Sequence, residues 1–459
     1  MGITDFIFFP FYLFLFYMIF YFRRKRYSDP LLRKYHKYGF WIKVLGTIAF
    51  TIFSVYISPG DSVILYQQEG NDLYHIILND SSQVKWLFQK GENFDLSLLQ
   101  DLRNAGYYPS EANFIVIKLV AAFSFVTFGK YMVINLIFSL IAFTGAWKLF
   151  LFFYEQYPQH HKKFAIAILF LPTFVFWSSG ILKDTLCIGA IGWITYALYE
   201  IFCRKKGFIK NSILLLIFGY LLAMVKVYIL LSYVPFFILF IILKNMEGLN
   251  SSILKFMIAP ALIIVGLFGF SKVLKSFDDE LGEYAVNHVT KTMKNLNNAM
   301  EAQTDSGAES NFLLGAEFDG SPNGLIKIAP IAIATTLFRP FLWESHKPSS
   351  LLAALESMLI MMFTLFVVCK AGVFTFIKIV LKDPLIIYCL LFAFAFALFV
   401  GASTLNFGTL VRYKIPCMPF YLISLFLVYE KVKEKATARI AERSVTHADA
   451  PLPLPAAAY

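Results

Sequence analysis

The sequence predicts an all-α, polytopic membrane protein, and three observations carry that expectation. The 459 residues are 58% hydrophobic and only 15% charged, with a mean hydropathy of +0.64, whereas soluble domains carry about a quarter charged residues. The apolar residues fall into long runs without the two-residue alternation of barrel strands, so helices fit better. Basic residues collect between these runs, as membrane orientation requires. The net charge of +11 and the pI near 9.2 are therefore read as topology, and no nucleic-acid partner is expected.

Taken in order, residues 1–38 read as an anchor helix and a basic cytoplasmic loop. The first apolar run, 6–22, is followed at once by Arg23, Arg24, Lys25 and Arg26 with no basic residue before it. A cleaved secretory signal has the reverse order, so the N-terminus is expected outside. Residues 39–430 form a transmembrane core. Its first run, 40–57, leads to an outer acidic loop, 59–111, with Asp61, Glu69, Asp72, Asp80, Glu92, Asp95, Asp101 and Glu111 against only Lys85, Lys90 and Arg103. Residues 112–128 are short for a span of about 20 residues. If they crossed, the later charges would land on the wrong sides, so they are read as a dipping or in-plane segment before the span at 131–153.

Spans at 164–179 and 185–202 lie between the basic groups His160-His161-Lys162-Lys163 and Arg204-Lys205-Lys206. Their junction, with Lys183-Asp184, is thereby outside. Runs 212–225 and 227–243 are a pair hinged at Lys226, and 253–270 leads to a second acidic outer loop, 272–324. Residues 325–338, interrupted by Pro330 and ending at Arg339-Pro340, read as a second re-entrant or interfacial segment. Spans at 351–368, 385–400 and 415–427 bring the total to about eleven crossings at the usual length. Residues 431–459 are a cytoplasmic helix and a Pro/Ala-rich tail too poor in apolar residues to fold.

Signatures of soluble enzymes are missing: there is no GxxxxGK[ST], no HExxH and no GxSxG. The five cysteines form no metal-binding spacing and read as small buried hydrophobes. What remains is a set of charges gathered on the outer face: Asp61, Glu69 and Asp72, then Lys183 and Asp184, Lys226, Arg339 and Glu344, and Arg412 with Lys414. Charges near hydrocarbon cost a few kcal/mol and normally face a polar cavity or a partner. Acids able to deprotonate a hydroxyl, beside bases able to hold phosphate, suit transfer of a group from a phosphate leaving group. Each has a plainer reading. Lys183, Lys226 and Lys414 could snorkel, Asp184 could pair with Lys183 or cap a helix, Arg339 could pair with Glu344, and Asp61 could cap a turn. The run Asp278-Asp279-Glu280 has the composition of a divalent-cation site, but such runs in long loops are usually solvated, so no cofactor is assigned.

The layout resembles the GT-C superfamily of membrane glycosyltransferases. A helix exits to an outer acidic loop that opens with Asp61. A Pro-containing segment, Leu171-Pro172-Thr173-Phe174-Val175-Phe176-Trp177-Ser178-Ser179-Gly180, then leads to Lys183-Asp184. Met224-Val225-Lys226 follows, and the chain closes on Arg412-Tyr413-Lys414-Ile415-Pro416-Cys417-Met418-Pro419-Phe420. The resemblance implies a polyprenyl-phosphate-linked sugar as donor, a glycan, lipid or protein acceptor, and a site on the extracytoplasmic face of a bacterial-type inner membrane. It also implies Asp61 as the catalytic base, with Arg412, and more weakly Lys183 or Arg339, on the lipid phosphate; Asp72, Asp184 and Glu344 complete the expected substrate-binding set. The paired acids common in that loop are absent, since Ser62 follows Asp61. A surface-polysaccharide polymerase or ligase is the nearest rival, and a transporter or lipid flippase the rival of another class.

Overall fold

The structure is a computed structural model that describes residues 3–246, 321–345 and 348–448, with isolated positions (294, 295, 298, 311, 312, 314 and 319) between them. Among the described residues the chain is almost wholly helical, and the only strand-like pairing is one antiparallel bridge between Asn311 and Asn406. Among the described residues seven helices are long and apolar enough to cross a membrane, or eight if one bent pair counts as a span. The chain is thus a helical membrane protein.

That count is lower than about eleven for reasons that can be located. Residues 164–179 are two short helices, α6 (His161–Leu169) and α7 (Pro172–Trp177), because Pro172 has no N–H to continue the ladder. The runs on either side of Lys226 are the two limbs of one bent element, α9 (Phe208–Met246), which counts once among the seven. Residues 253–270 lie outside the described residues, as does most of 272–324. The final run is the bent pair, α14 (Phe407–Tyr413) and α15 (Met418–Ala448), at 63°.

Helix α1 (Ile3–Lys25) is followed by α2 (Pro30–Ile52), which a wider turn extends to Ile57. Asp29 accepts the Leu31 N–H at 2.7 Å and Pro30 fills the first turn, so residues 30–37 are helix rather than loop. Helices α5 (Tyr131–Gln156) and α8 (Lys183–Phe202) form the closest pair. A Cβ at Gly145 would lie 2.1 Å from the Gly189 carbonyl oxygen, and one at Gly192 1.9 Å from that of Gly145. Small residues at this spacing are what let two apolar helices touch backbone to backbone.

Helix α9 doubles back. Along its first limb Phe218 stacks on Trp193 of α8 at 5.6 Å, and Lys226 then pairs with Asp184 at the start of α8. Along its second limb Tyr233 meets Thr195 at 2.6 Å, and Asn245 reaches the Phe202 carbonyl at 3.5 Å. The contacts climb α8 and then descend it, so the non-helical Lys226 (φ −153°, ψ 77°) is the tip of a hairpin.

Residues 59–111 fold into a cap built of α3 (Gln68–Asn79) and several tight turns, closed by α4 (Glu111–Thr127). Buried Glu69 accepts from Asn104 at 2.8 Å and Tyr108 at 2.9 Å, over a cluster of Trp86, Phe94, Tyr108 and Phe114. Helix α4 packs along α3, with Val120 against Gly70, Ser124 bonded to Asn71 at 3.2 Å and Phe125 edge-on to Tyr74. The second short apolar helix, α10 (Pro322–Phe338), follows α13 (Pro384–Ser403) inward, from Ala332 beside Gly401 to Thr336, which donates to the Ala397 carbonyl at 2.7 Å. The chain then turns at the cis Arg339-Pro340 peptide and continues into α11 (Pro348–Ala371), whose Ser357 lies against the Arg339 carbonyl.

Two ends of the bundle are chemically distinct. One gathers Asp61, Asp184, Lys226 and Arg412. The other is tied by Tyr154 donating to Asp29 at 2.6 Å, by Lys163 with Glu430, by Arg204 with Glu155 and Glu200, and by Lys431 with Asp383 at 2.9 Å. All five cysteines are free thiols, and Cys369 is exposed on α11 rather than buried as expected.

Candidate active site

A cavity of about 330 Å³ opens at the first of these ends, within the roughly 300–1,000 Å³ of small-molecule sites. Phe50, Phe53, Ser54 and Ser58 from the end of α2, Asp61, Trp177, Leu182, Glu344, Ser350 and Ala353 line it, together with residues 406–409, Val411 and Arg412. Asp61 and Arg412, 351 positions apart in the chain, meet here: Arg412 Nη1 donates to Asp61 Oδ2 at 3.1 Å. Asp61 makes no cap hydrogen bond to the turn that follows it, so its carboxylate is committed to this pair.

Arg412 holds a second carboxylate. Its Nε lies 3.0 Å from Asp184 Oδ2, although neither atom completes a hydrogen bond, so the contact is an ion pair made off the N–H axis. Asp184 Oδ1 pairs with Lys226, whose ammonium also lies 3.8 Å from the Tyr413 ring centre. The partners differ in access to water: the Asp184 side chain is 0% exposed, that of Lys226 6%, that of Arg412 19% and that of Asp61 48%. Asp184 therefore neither pairs with Lys183 nor caps a helix; it ties α8 to the hairpin tip and to α14. Lys226 and Lys414 are buried, so neither snorkels. Lys414 donates to the Arg339 carbonyl at 2.9 Å and to Ser357 at 2.8 Å.

Lys183 lies within electrostatic range of Asp61, Asp184, Lys226 and Arg412, and makes no ion pair among the described residues. Three cations, Lys183, Lys226 and Arg412, thus face two carboxylates, Asp61 and Asp184, for a net charge of 3 − 2 = +1. Arg339 binds Glu344 through both its Nε, at 3.1 Å, and Nη2, with its guanidinium over Phe312 and Phe407. Glu344 also accepts the Phe341 N–H at 2.9 Å and reaches the cavity wall. Arg339 is therefore neutralised by Glu344 and does not itself line the cavity. Asp72 sits apart on α3, outside the cavity lining, and burial raises its pKa, as it does that of Glu69.

Three residues that support the site are ones the sequence reading passed over. Lys43, buried in α2, donates to the carbonyl and hydroxyl of Ser178. Asn135 of α5 accepts the Ile181 N–H at 2.9 Å and donates to Thr51 at 3.0 Å. Together they fix the segment that delivers Lys183 and Asp184. Glu356 of α11 accepts the N–H and hydroxyl of Thr173 at the start of α7. The available signal was a single ionisable or amide side chain inside an apolar run, which needs a polar partner wherever it is buried.

Among the described residues no three His, Cys, Asp or Glu side chains group as a metal site, and Asp278-Asp279-Glu280 lies outside them. No family model, curated protein or solved structure matches the chain.

Proposed function

We propose that the protein is a membrane glycosyltransferase of GT-C type that moves a sugar from a polyprenyl-phosphate donor to an acceptor hydroxyl. The observation that carries this reading is the meeting of Asp61 and Arg412 in one cavity, within a charge cluster that Asp184, Lys183 and Lys226 complete from outside the cavity lining to a net +1. A carboxylate with half its surface in water can take a proton, and a guanidinium fork is the side chain best suited to phosphate oxygens. A sugar phosphodiester carries one negative charge, which matches the net charge of this cluster better than a diphosphate does.

In the reaction, Asp61 takes the proton of the acceptor hydroxyl as its oxygen attacks the anomeric carbon. The bond from that carbon to the phosphate oxygen breaks on the opposite side, and the configuration inverts. Polyprenyl phosphate leaves with the electron pair, its developing charge met by Arg412, while Lys183 adds positive potential from outside the cavity lining. Phe50, Phe53 and Trp177 supply an apolar wall for the sugar face or the first isoprene units. The bundle end opposite the cavity carries Arg23, Arg24, Lys163, Arg204 and Lys431. By the positive-inside rule, the cavity then faces away from the cytoplasm in a bacterial-type inner membrane.

Clustering of charge at one end of the bundle favours transfer over transport. The test is to incubate purified protein with polyprenyl-phospho-sugars and, separately, with oligosaccharide-diphosphate lipids. Release of polyprenyl monophosphate by wild type and not by Asp61→Asn supports the reading; turnover of the diphosphate lipids alone moves the protein to the polymerase or ligase class.

A further inference from the structure

Arg412 is held between two carboxylates of very different standing. Asp184 is fully buried, is shared with Lys226 and lies on α8, which packs backbone to backbone on α5. Asp61 is about half exposed, is bound through one oxygen at 3.1 Å, and stands at the cavity edge between Gly60 and Ser62 on a wide turn. Exposed pairs hold weakly because water and salt compete for both partners, whereas breaking a buried pair strands a charge. An anion reaching Arg412 from the cavity therefore finds one replaceable partner and one fixed one.

We propose that Asp61 is the exchangeable partner and Asp184 the positioning residue: the phosphate of the donor replaces Asp61 on Arg412, and the carboxylate so released becomes the base. This rests on the reading of the site as a polyprenyl-phosphate enzyme and adds an order to it. Before donor binds, Asp61 is held by Arg412 through Oδ2. After donor binds, Asp184 and Lys226 keep the guanidinium in place while Asp61 turns to the acceptor hydroxyl. No bond is made or broken in this step; one ion pair replaces another, and the net charge of the cluster around Arg412, +1 with Asp61 counted, is met by the incoming phosphate.

Two readouts test the exchange with the full chain in neutral-lipid nanodiscs and undecaprenyl monophosphate as the probe. The first is affinity. Removing the competitor with Asp61→Asn should tighten binding about two- to fivefold, the range expected for an exposed ion pair. The charge-balanced Asp184→Asn/Lys226→Met variant, whose cluster keeps the wild-type net charge, should bind at least tenfold more weakly, because Arg412 has lost its anchor. The second is carbodiimide labelling of Asp61 read by mass spectrometry, which should rise when the probe binds to wild type. Unchanged affinity in both variants, or labelling that falls on binding, overturns the exchange. If wild type binds the probe and Asp61→Asn lacks transfer activity but binds no tighter, the exchange alone fails. If wild type binds undecaprenyl monophosphate no better than undecaprenol, the exchange and the glycosyltransferase reading fail together.

Discussion

The Asp184→Asn substitution gives the sharpest stability test of the charge cluster. The carboxylate is fully buried and faces Lys226 and Arg412. Removing its charge leaves Lys183, Lys226 and Arg412 against Asp61 alone, a net charge of 3 − 1 = +2. Stranding one partner of a buried pair costs about 3–5 kcal/mol, a large share of a total stability of about 5–15 kcal/mol. At roughly 2 °C per kcal/mol for a long chain, the melting temperature should fall by about 6–10 °C. Adding Lys226→Met removes the stranded cation and restores the net charge to +1, so the double variant should regain most of the loss. The assay is thermal unfolding of detergent-solubilised protein followed by size-exclusion chromatography, with the Lys226→Met single variant completing the cycle. If Asp184→Asn melts within a degree of wild type, or if the double variant is less stable than either single variant, Asp184 and Lys226 are not coupled as described.

Three further outcomes follow from the same structure. Asp61→Asn, at a half-exposed position, should shift stability by no more than about 1 kcal/mol while abolishing sugar transfer, and an active variant removes Asp61 from the mechanism. Gly192→Leu forces a side chain into the Gly145 backbone and should cost at least about 1–3 kcal/mol by overpacking; near-native melting would show that α5 and α8 are further apart than described. Burial raises the pKa of Glu69 against the opposing hydrogen bonds from Asn104 and Tyr108. A raised folded-state pKa means that its contribution is fully present below the unfolded value of about 4.3 and is lost as pH rises through the raised value. The stability of wild type relative to Glu69→Gln should therefore fall over that interval, and a difference that is flat with pH would contradict the assignment.

Much of this was legible in the sequence, and the misses have physical reasons. Hydropathy and charge placement were enough to expect helices, to set Lys226 at the hinge of a pair and to gather Asp61, Lys183, Asp184 and Arg412 at one end, because membrane insertion writes those features into composition. Long-range pairing was harder to read: nothing local tells Asp184 to choose Lys226 and Arg412 over its neighbour Lys183. Boundaries slipped where a cap outweighed hydropathy, as at Asp29-Pro30, where a helix begins inside a basic stretch. Lys43, Asn135 and Glu356 were overlooked because one polar side chain barely changes the mean hydropathy of a run. Asp72 was assigned to the site by its loop, yet α3 carries it into the cap and away from the cavity.

The most direct measurement is the release of polyprenyl monophosphate from a panel of polyprenyl-phospho-sugars by purified, reconstituted protein, comparing wild type with Asp61→Asn and Arg412→Gln. Release by wild type, loss in both variants and retained folding are the predicted result. Equal release from all three proteins, or none from wild type across the panel, would contradict a sugar-transfer site built on the Asp61–Arg412 pair.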